Sequence, residues 1–189
     1  MAPNPSSIAR GAARVASERG RISRASASTS ASTDDLRAAF RHCVEIVRAR
    51  DYETYLCTLA LPRASAPAAF AVRALNAETG SVVGNAESVD AAVARLMWWR
   101  ETMTAGSAGT RAGHPVALAT LAALGNEPNA RARTWMRRMI EARIADARSD
   151  GPPRTIADLE RYASDAHGSA LTLALDACGV RNADADHAV

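Results

Sequence analysis

Between Leu59 and Val83 the chain reads LALPRASAPAAFAVRALNAETGSVV, and this stretch limits the fold more than any other. A Leu-Pro break and a short polar turn precede a helix whose apolar face carries Phe70, Val72, Leu75 and Val82. Asn76, Glu78 and Ser81 interrupt that face. Polar groups set into an otherwise buried helix need partners, so they mark either a hydrogen-bonded core or the floor of a site. Which of the two it is decides how the rest of the chain is read.

The rest of the body repeats helix signals and offers no strand signals. Asp34 and Asp35 are placed to cap a helix carrying Leu36, Phe40, Cys43, Val44 and Val47. Asp51 opens a second, Tyr52 to Leu61, which Pro62 ends. Pro67 suits the first turn of the third, which contains the opening stretch. Ser88 and Asp90 open a fourth, through Val93, Leu96, Met97, Trp98 and Trp99. Ala105–Gly113 reads as a loop. Pro115 begins a short helix that Gly125 stops, with His114 at its start.

In Arg131 to Ala147 the pattern turns Trp135, Met136, Met139, Ile140 and Ile144 inward, and Arg137, Arg138, Glu141 and Arg143 outward. Thr155 and Asp158 resemble a capping box for a last long helix, with Gly168 midway as a bend or close-packing point and Gly179 at its end. The expectation is an all-α domain over 34–189, with about seven helices and antiparallel neighbours on short loops.

Charge separates the ends of the chain. Residues 1–33 hold five arginines against one glutamate, a net of +4, which leaves −1 for the remainder of a chain whose formal charge is +3. A nucleic-acid-binding domain needs its positive charge on the folded part, and only 4% of the residues are aromatic, so no nucleic-acid partner is expected. The leader is Arg- and Ser-rich, poor in acids, and ends in SRASASTSAST, the composition of an organelle transit peptide, mitochondrial first and chloroplast second. No apolar run is long enough to span a bilayer. Cys43, Cys57 and Cys178 follow neither a disulfide nor a zinc spacing and read as small buried hydrophobes.

Few residues suggest chemistry. Asp146 and Asp150 stand at i and i+4, a spacing able to hold Mg²⁺, but at a helix end beside Gly151-Pro152-Pro153 they read as a solvated terminus. Asp184, Asp186 and His187 sit at a chain end, where backbone rarely holds metal geometry. His42, His114 and His167 share no ligand spacing, and no nucleophile elbow or phosphate loop occurs. The pattern therefore yields no catalytic residue and no metal ligand. The residues singled out are Asn76, Glu78 and Ser81 for a pocket, and Trp98, Trp99 and Arg100 for a partner surface.

The ordered segments CVEIVRARDYETYLCTLALP, AVRALNAE, LMWWRETM, HPVALAT, WMRRMIEARIAD and IADLERYA resemble the squalene/phytoene synthase family, in series and in approximate gaps, from Leu36 to Val189. The resemblance implies an isoprenoid-synthase-type helical bundle. Its enzymes carry two Asp-rich motifs on facing helices, which hold the Mg²⁺ ions that bind substrate diphosphates. Drawing diphosphate off an allylic carbon needs several carboxylates to hold those metals. Here the first motif's position falls in Asn76-Ala77-Glu78-Thr79-Gly80-Ser81, with one acid; Gly80 and Ser81 stand where the aspartate pair would be. Ala66 stands where relatives keep an arginine after Leu-Pro. The second motif belongs downstream of His187, so the bundle is read as incomplete at its C-terminal side, with apolar surface expected at the ends of 67–83 and 155–178.

The acid deficit favours the family's mitochondrial branch, which works in respiratory complex I assembly without catalysis. That branch implies no cofactor, and as partners complex I subunits or other assembly factors, with peripheral inner-membrane association. The alternative is a Mg²⁺-dependent phytoene or squalene synthase-type prenyl transferase fragment. A third reading keeps the pocket, as a relict holding a lipid.

Overall fold

The computed structural model describes residues 32–105 and 113–187. The leader up to residue 31 and most of the predicted 105–113 loop lie outside the described residues. Every described element is helical: α1 (Thr33–Arg50), α2 (Tyr52–Leu59), α3 (Ala66–Gly80), a 3₁₀ turn (Val83–Asn85), α4 (Val89–Thr104), α5 (Pro115–Ala123), α6 (Ala130–Ala147), α7 (Ile156–Ala163), a π turn (Ser164–Gly168), α8 (Ser169–Ala177) and α9 (Ala183–His187).

Local chemistry sets the ends. Ser32, two residues ahead of the predicted Asp34, caps α1: its hydroxyl accepts from Asp35 N while the Asp35 carboxylate accepts from Ser32 N, both at 3.1 Å. Asp51, Ser88, Asn129 and Thr155 cap α2, α4, α6 and α7 through the backbone N–H three residues on. His114 caps α5, its Nδ1 accepting from Val116 N at 3.2 Å. At the ends of α5 and α8, Gly125 (φ 94°) and Gly179 (φ 80°) supply the left-handed turn. The next residue then reaches back, Asn126 N to Leu121 O at 2.6 Å and Val180 N to Leu175 O at 2.9 Å.

The centre of the bundle is α3, which packs against α1, α2, α5, α6 and α8. Along it Ala69, Phe70, Ala71, Val72, Ala74, Leu75, Asn76 and Thr79 are all buried. The core continues through Val47, Leu96, Met103, Val116, Leu121, Met136, Met139, Ile140 and Leu173. The α7–α8 segment runs on through Gly168, so the predicted bend is instead a π turn that ends there, an insertion common at functional sites.

Three expectations fail locally. Only Cys43 is a buried thiol, its pKa pushed up to about 12 by desolvation and then by Glu78; Cys57 is exposed and Cys178 half-buried. Trp135 is half-buried, with Arg138 and Arg131 over its ring at 5.4 and 5.9 Å. Arg143, expected outside, is buried. The apolar surface expected at the ends of 67–83 and 155–178 is present, at Val83 and at Ile156 and Leu159. A further stripe, Tyr52, Leu56 and Leu59 on α2, faces outward as well. No helix of the described residues is long and apolar enough to cross a membrane.

Candidate functional site

The last turn of α3 opens into a cleft of about 510 Å³ that brings together four elements. Asn76, Ala77, Gly80 and Ser81 come from α3 and its cap, Arg50 and Asp51 from the α1–α2 junction, Arg143 from α6, and His167 from the π turn. The cleft is not the largest depression. One of about 810 Å³ follows the end of α6, the Gly151–Arg154 turn and α7, and contains Asp146 and Asp150. Its other two aspartates are tied to arginines, Asp158 to Arg161 at 3.4 Å and Asp165 to Arg138 at 2.5 Å. Convergence of buried polar groups, rather than size, singles out the α3 cleft.

Arg143 dominates it. Its residue is 3% exposed, and its guanidinium reaches the polar row of α3: Nη2 donates to Asn76 Oδ1 at 2.6 Å and Nη1 donates to Thr79 Oγ1. Thr79 in turn donates to Leu75 O at 2.7 Å, so its hydroxyl is fully engaged. Gly80 faces the same group; a Cβ there would stand 3.6 Å from Arg143 Nη2. Burial pushes the guanidinium below arginine's ordinary value, and the Tyr162 phenol, hydrogen-bonded to it, acts in the opposite direction. Arginine nevertheless stays protonated in proteins. Beside it, burial and then the Arg143 charge lower the pKa of His167, which favours the neutral imidazole.

The carboxylates are committed elsewhere. Glu78 accepts from Arg50 Nη1 at 3.1 Å, and the same nitrogen donates to Ser81 Oγ at 3.1 Å. Ser81 Oγ also donates to Glu78 O at 3.0 Å. Asp51 accepts from Thr54 N at 3.3 Å, and its charge supports the half-buried Arg73. Among the described residues no three His, Cys, Asp or Glu side chains converge as a metal-ligating group.

Asn76, Glu78 and Ser81 thus share one end of α3, joined there by Arg50 and Arg143. Trp98, Trp99 and Arg100 divide. Trp99 is 3% exposed and stacks edge-on against His114 at 4.7 Å, so it is core and offers no partner surface. Adjacent positions on a helix point about 100° apart, which is why only one of the two rings is outside. Trp98 and Met97 are exposed, and half-buried Arg100 faces Glu141 at 3.9 Å.

Sequence reasoning missed Arg143 because its charge outweighed its spacing, and passed over Thr79 on the buried stripe of α3. Met136, Met139, Ile140, Arg143 and Ala147 form one stripe at i, i+3, i+4, i+7 and i+11, which places position 143 inward. Two buried acceptors on α3 are the complement that makes an arginine tolerable there.

The squalene/phytoene synthase family model matches residues 47–189. NADH dehydrogenase (ubiquinone) complex I, assembly factor 6, of Bos taurus is 32% identical over 148 residues, 78% of this chain and 44% of that protein. Its Homo sapiens counterpart is 31% identical over 147 residues, covering 78% and 43%. The Drosophila melanogaster homolog is 34% identical over 156 residues, covering 78% and 45%. The chain therefore spans somewhat under half the length of these curated relatives. No solved structure matches it.

Proposed function

Since the chain belongs to the squalene/phytoene synthase family and has its all-α isoprenoid-synthase-type fold, we propose that it is a non-catalytic member that acts in mitochondrial assembly of respiratory complex I. The observation that carries the reading is the cation held against the row from Asn76 to Ser81. The resemblance puts the first Asp-rich motif there, and prenyl diphosphate ionisation needs several carboxylates with Mg²⁺ at that place. Instead the row presents an amide and a hydroxyl to the Arg143 guanidinium, and its one acid, Glu78, is paired with Arg50. A guanidinium beside the site repels divalent cations as well as occupying the acceptors. The residues present do not fit a magnesium cluster, and no ionisation step is derived through one.

Under this reading the protein works through surfaces. Exposed Trp98 and Met97, with Arg100 beside them, form one contact face; Ile156 and Leu159 on α7 form another. Its partners are complex I subunits or other assembly factors, at the matrix face of the inner membrane, reached through the Arg-rich leader. Affinity purification of the chain from mitochondria tests this. Recovery of complex I subunits is expected; their absence, together with normal complex I in cells lacking the protein, overturns the proposal. In a second assay, pyrophosphate released from prenyl diphosphate with Mg²⁺ above a Glu78→Gln control restores the enzyme alternative.

A further inference from the structure

Arg143 carries a charge that its surroundings leave without a counterion. Among the described residues no carboxylate forms an ion pair with it, and its Nε, fully buried, has no hydrogen-bond partner. Its bonds go to Asn76 Oδ1, Thr79 Oγ1 and the Tyr162 phenol, none of them a carboxylate. An unpaired buried cation is strongly unfavourable, and native structures relieve it with a hydrogen-bonded anion.

Charge balance in the cleft indicates which anion. Arg50 is matched by Glu78, and Asp51 supports Arg73. His167 is held toward its neutral form. Arg143 is left without an ion-pair partner, in a wall shared with Arg50, Asp51, Asn76, Ser81, Asn85 and His167. A dianion would bring its second charge toward Glu78 and Asp51, whereas a carboxylate matches both the single charge and the planar fork of a guanidinium. The geometry points to a binding site for one carboxylate between Arg143, Asn76 and His167, supplied by a small carboxylic acid or by an acidic side chain of a bound polypeptide. This site stands independently of the assembly reading.

The test uses the whole chain labelled with ¹⁵N-arginine, following the Arg143 side-chain signal, identified by its loss in Arg143→Gln. Sodium acetate is titrated against sodium chloride and inorganic phosphate at matched ionic strength. A capped tripeptide with a central Glu is compared with its Gln counterpart. Acetate and the Glu peptide are expected to shift the signal saturably, while chloride and the Gln peptide leave it in place. A Glu peptide midpoint about tenfold below that of acetate identifies a polypeptide source, and equal midpoints identify a free acid. No saturable shift with either carboxylate, or tighter binding of phosphate than of acetate, overturns the proposal.

Because Arg143→Gln alters the core, a second variant acts from the other side. In Gly80→Asp the new side chain begins with a Cβ 3.6 Å from Arg143 Nη2, in ordinary contact, and brings a carboxylate to the guanidinium from within. It should abolish the acetate response and raise Tm by about 2–4 °C. Gly80→Ala, which adds the carbon alone, should keep the response. Equal acetate responses in the two variants refute the site.

Discussion

Removing the acceptors of Arg143 should harm the protein only while the cation is there to need them. In Asn76→Ala the guanidinium loses the 2.6 Å bond to Oδ1, and in Thr79→Val it loses the bond to Oγ1. A hydrogen bond to a charged group contributes about 1.5–3 kcal/mol, and at 3% exposure little water reaches the group to replace it. Each single variant should therefore lower stability by about that amount, or Tm by roughly 3–12 °C at ~2–4 °C per kcal/mol for a chain of this size. Arg143→Met, made alone, removes both bonds but also the desolvated charge, so its cost is smaller than the bonds suggest. In the Asn76→Ala/Thr79→Val background the same change should be neutral or stabilising, because a thioether fills the space without needing acceptors. A double-mutant cycle by urea unfolding, followed by helical circular dichroism, should give a coupling of about 3–6 kcal/mol for the two bonds together. If Arg143→Met changes stability equally in both backgrounds, Arg143 does not rest on α3 and the account of the cleft is wrong.

Leu75, fully buried at the centre of α3, should lose about 2–5 kcal/mol on Leu75→Ala, read as a lower urea midpoint with unchanged slope. The pKa of half-buried His114 is lowered from its ordinary 6.5, mainly by burial, with Glu78 opposing and His42 assisting. The unfolded chain then binds the proton first, so stability should fall as pH drops below about 6.5. His114→Asn, which keeps a capping oxygen, should flatten the dependence of Tm between about pH 7.5 and 5.5, and an unchanged slope assigns it elsewhere. With a thiol reagent on native protein, exposed Cys57 should react at once, half-buried Cys178 more slowly, and Cys43 only after unfolding. Immediate labelling of Cys43 would show that the α1–α3 contact opens.

Residues close together in the chain made much of this fold legible. Asp51, Ser88 and Thr155 announced helix starts, Gly125 and Gly179 announced stops, and apolar spacing gave the inward residues of α1 and most of those of α6, because caps, turns and helical periodicity are settled within one or two turns. The same locality marked Asn76–Ser81 as the unusual part of a buried helix. What occupies that part could not be read locally. Asn76 and Arg143 are far apart in the chain, and no local rule says which distant side chain a buried amide accepts from. Burial of Arg143 is unfavourable for α6 by itself and becomes tolerable only when α3 brings two oxygens to it, so tertiary packing alone decided it. Packing likewise decided which of Trp98 and Trp99 is core. The sequence determined a helical bundle with a polar break at its centre; the tertiary structure decided that a cation fills the break, since a charge's environment is set by everything that surrounds it.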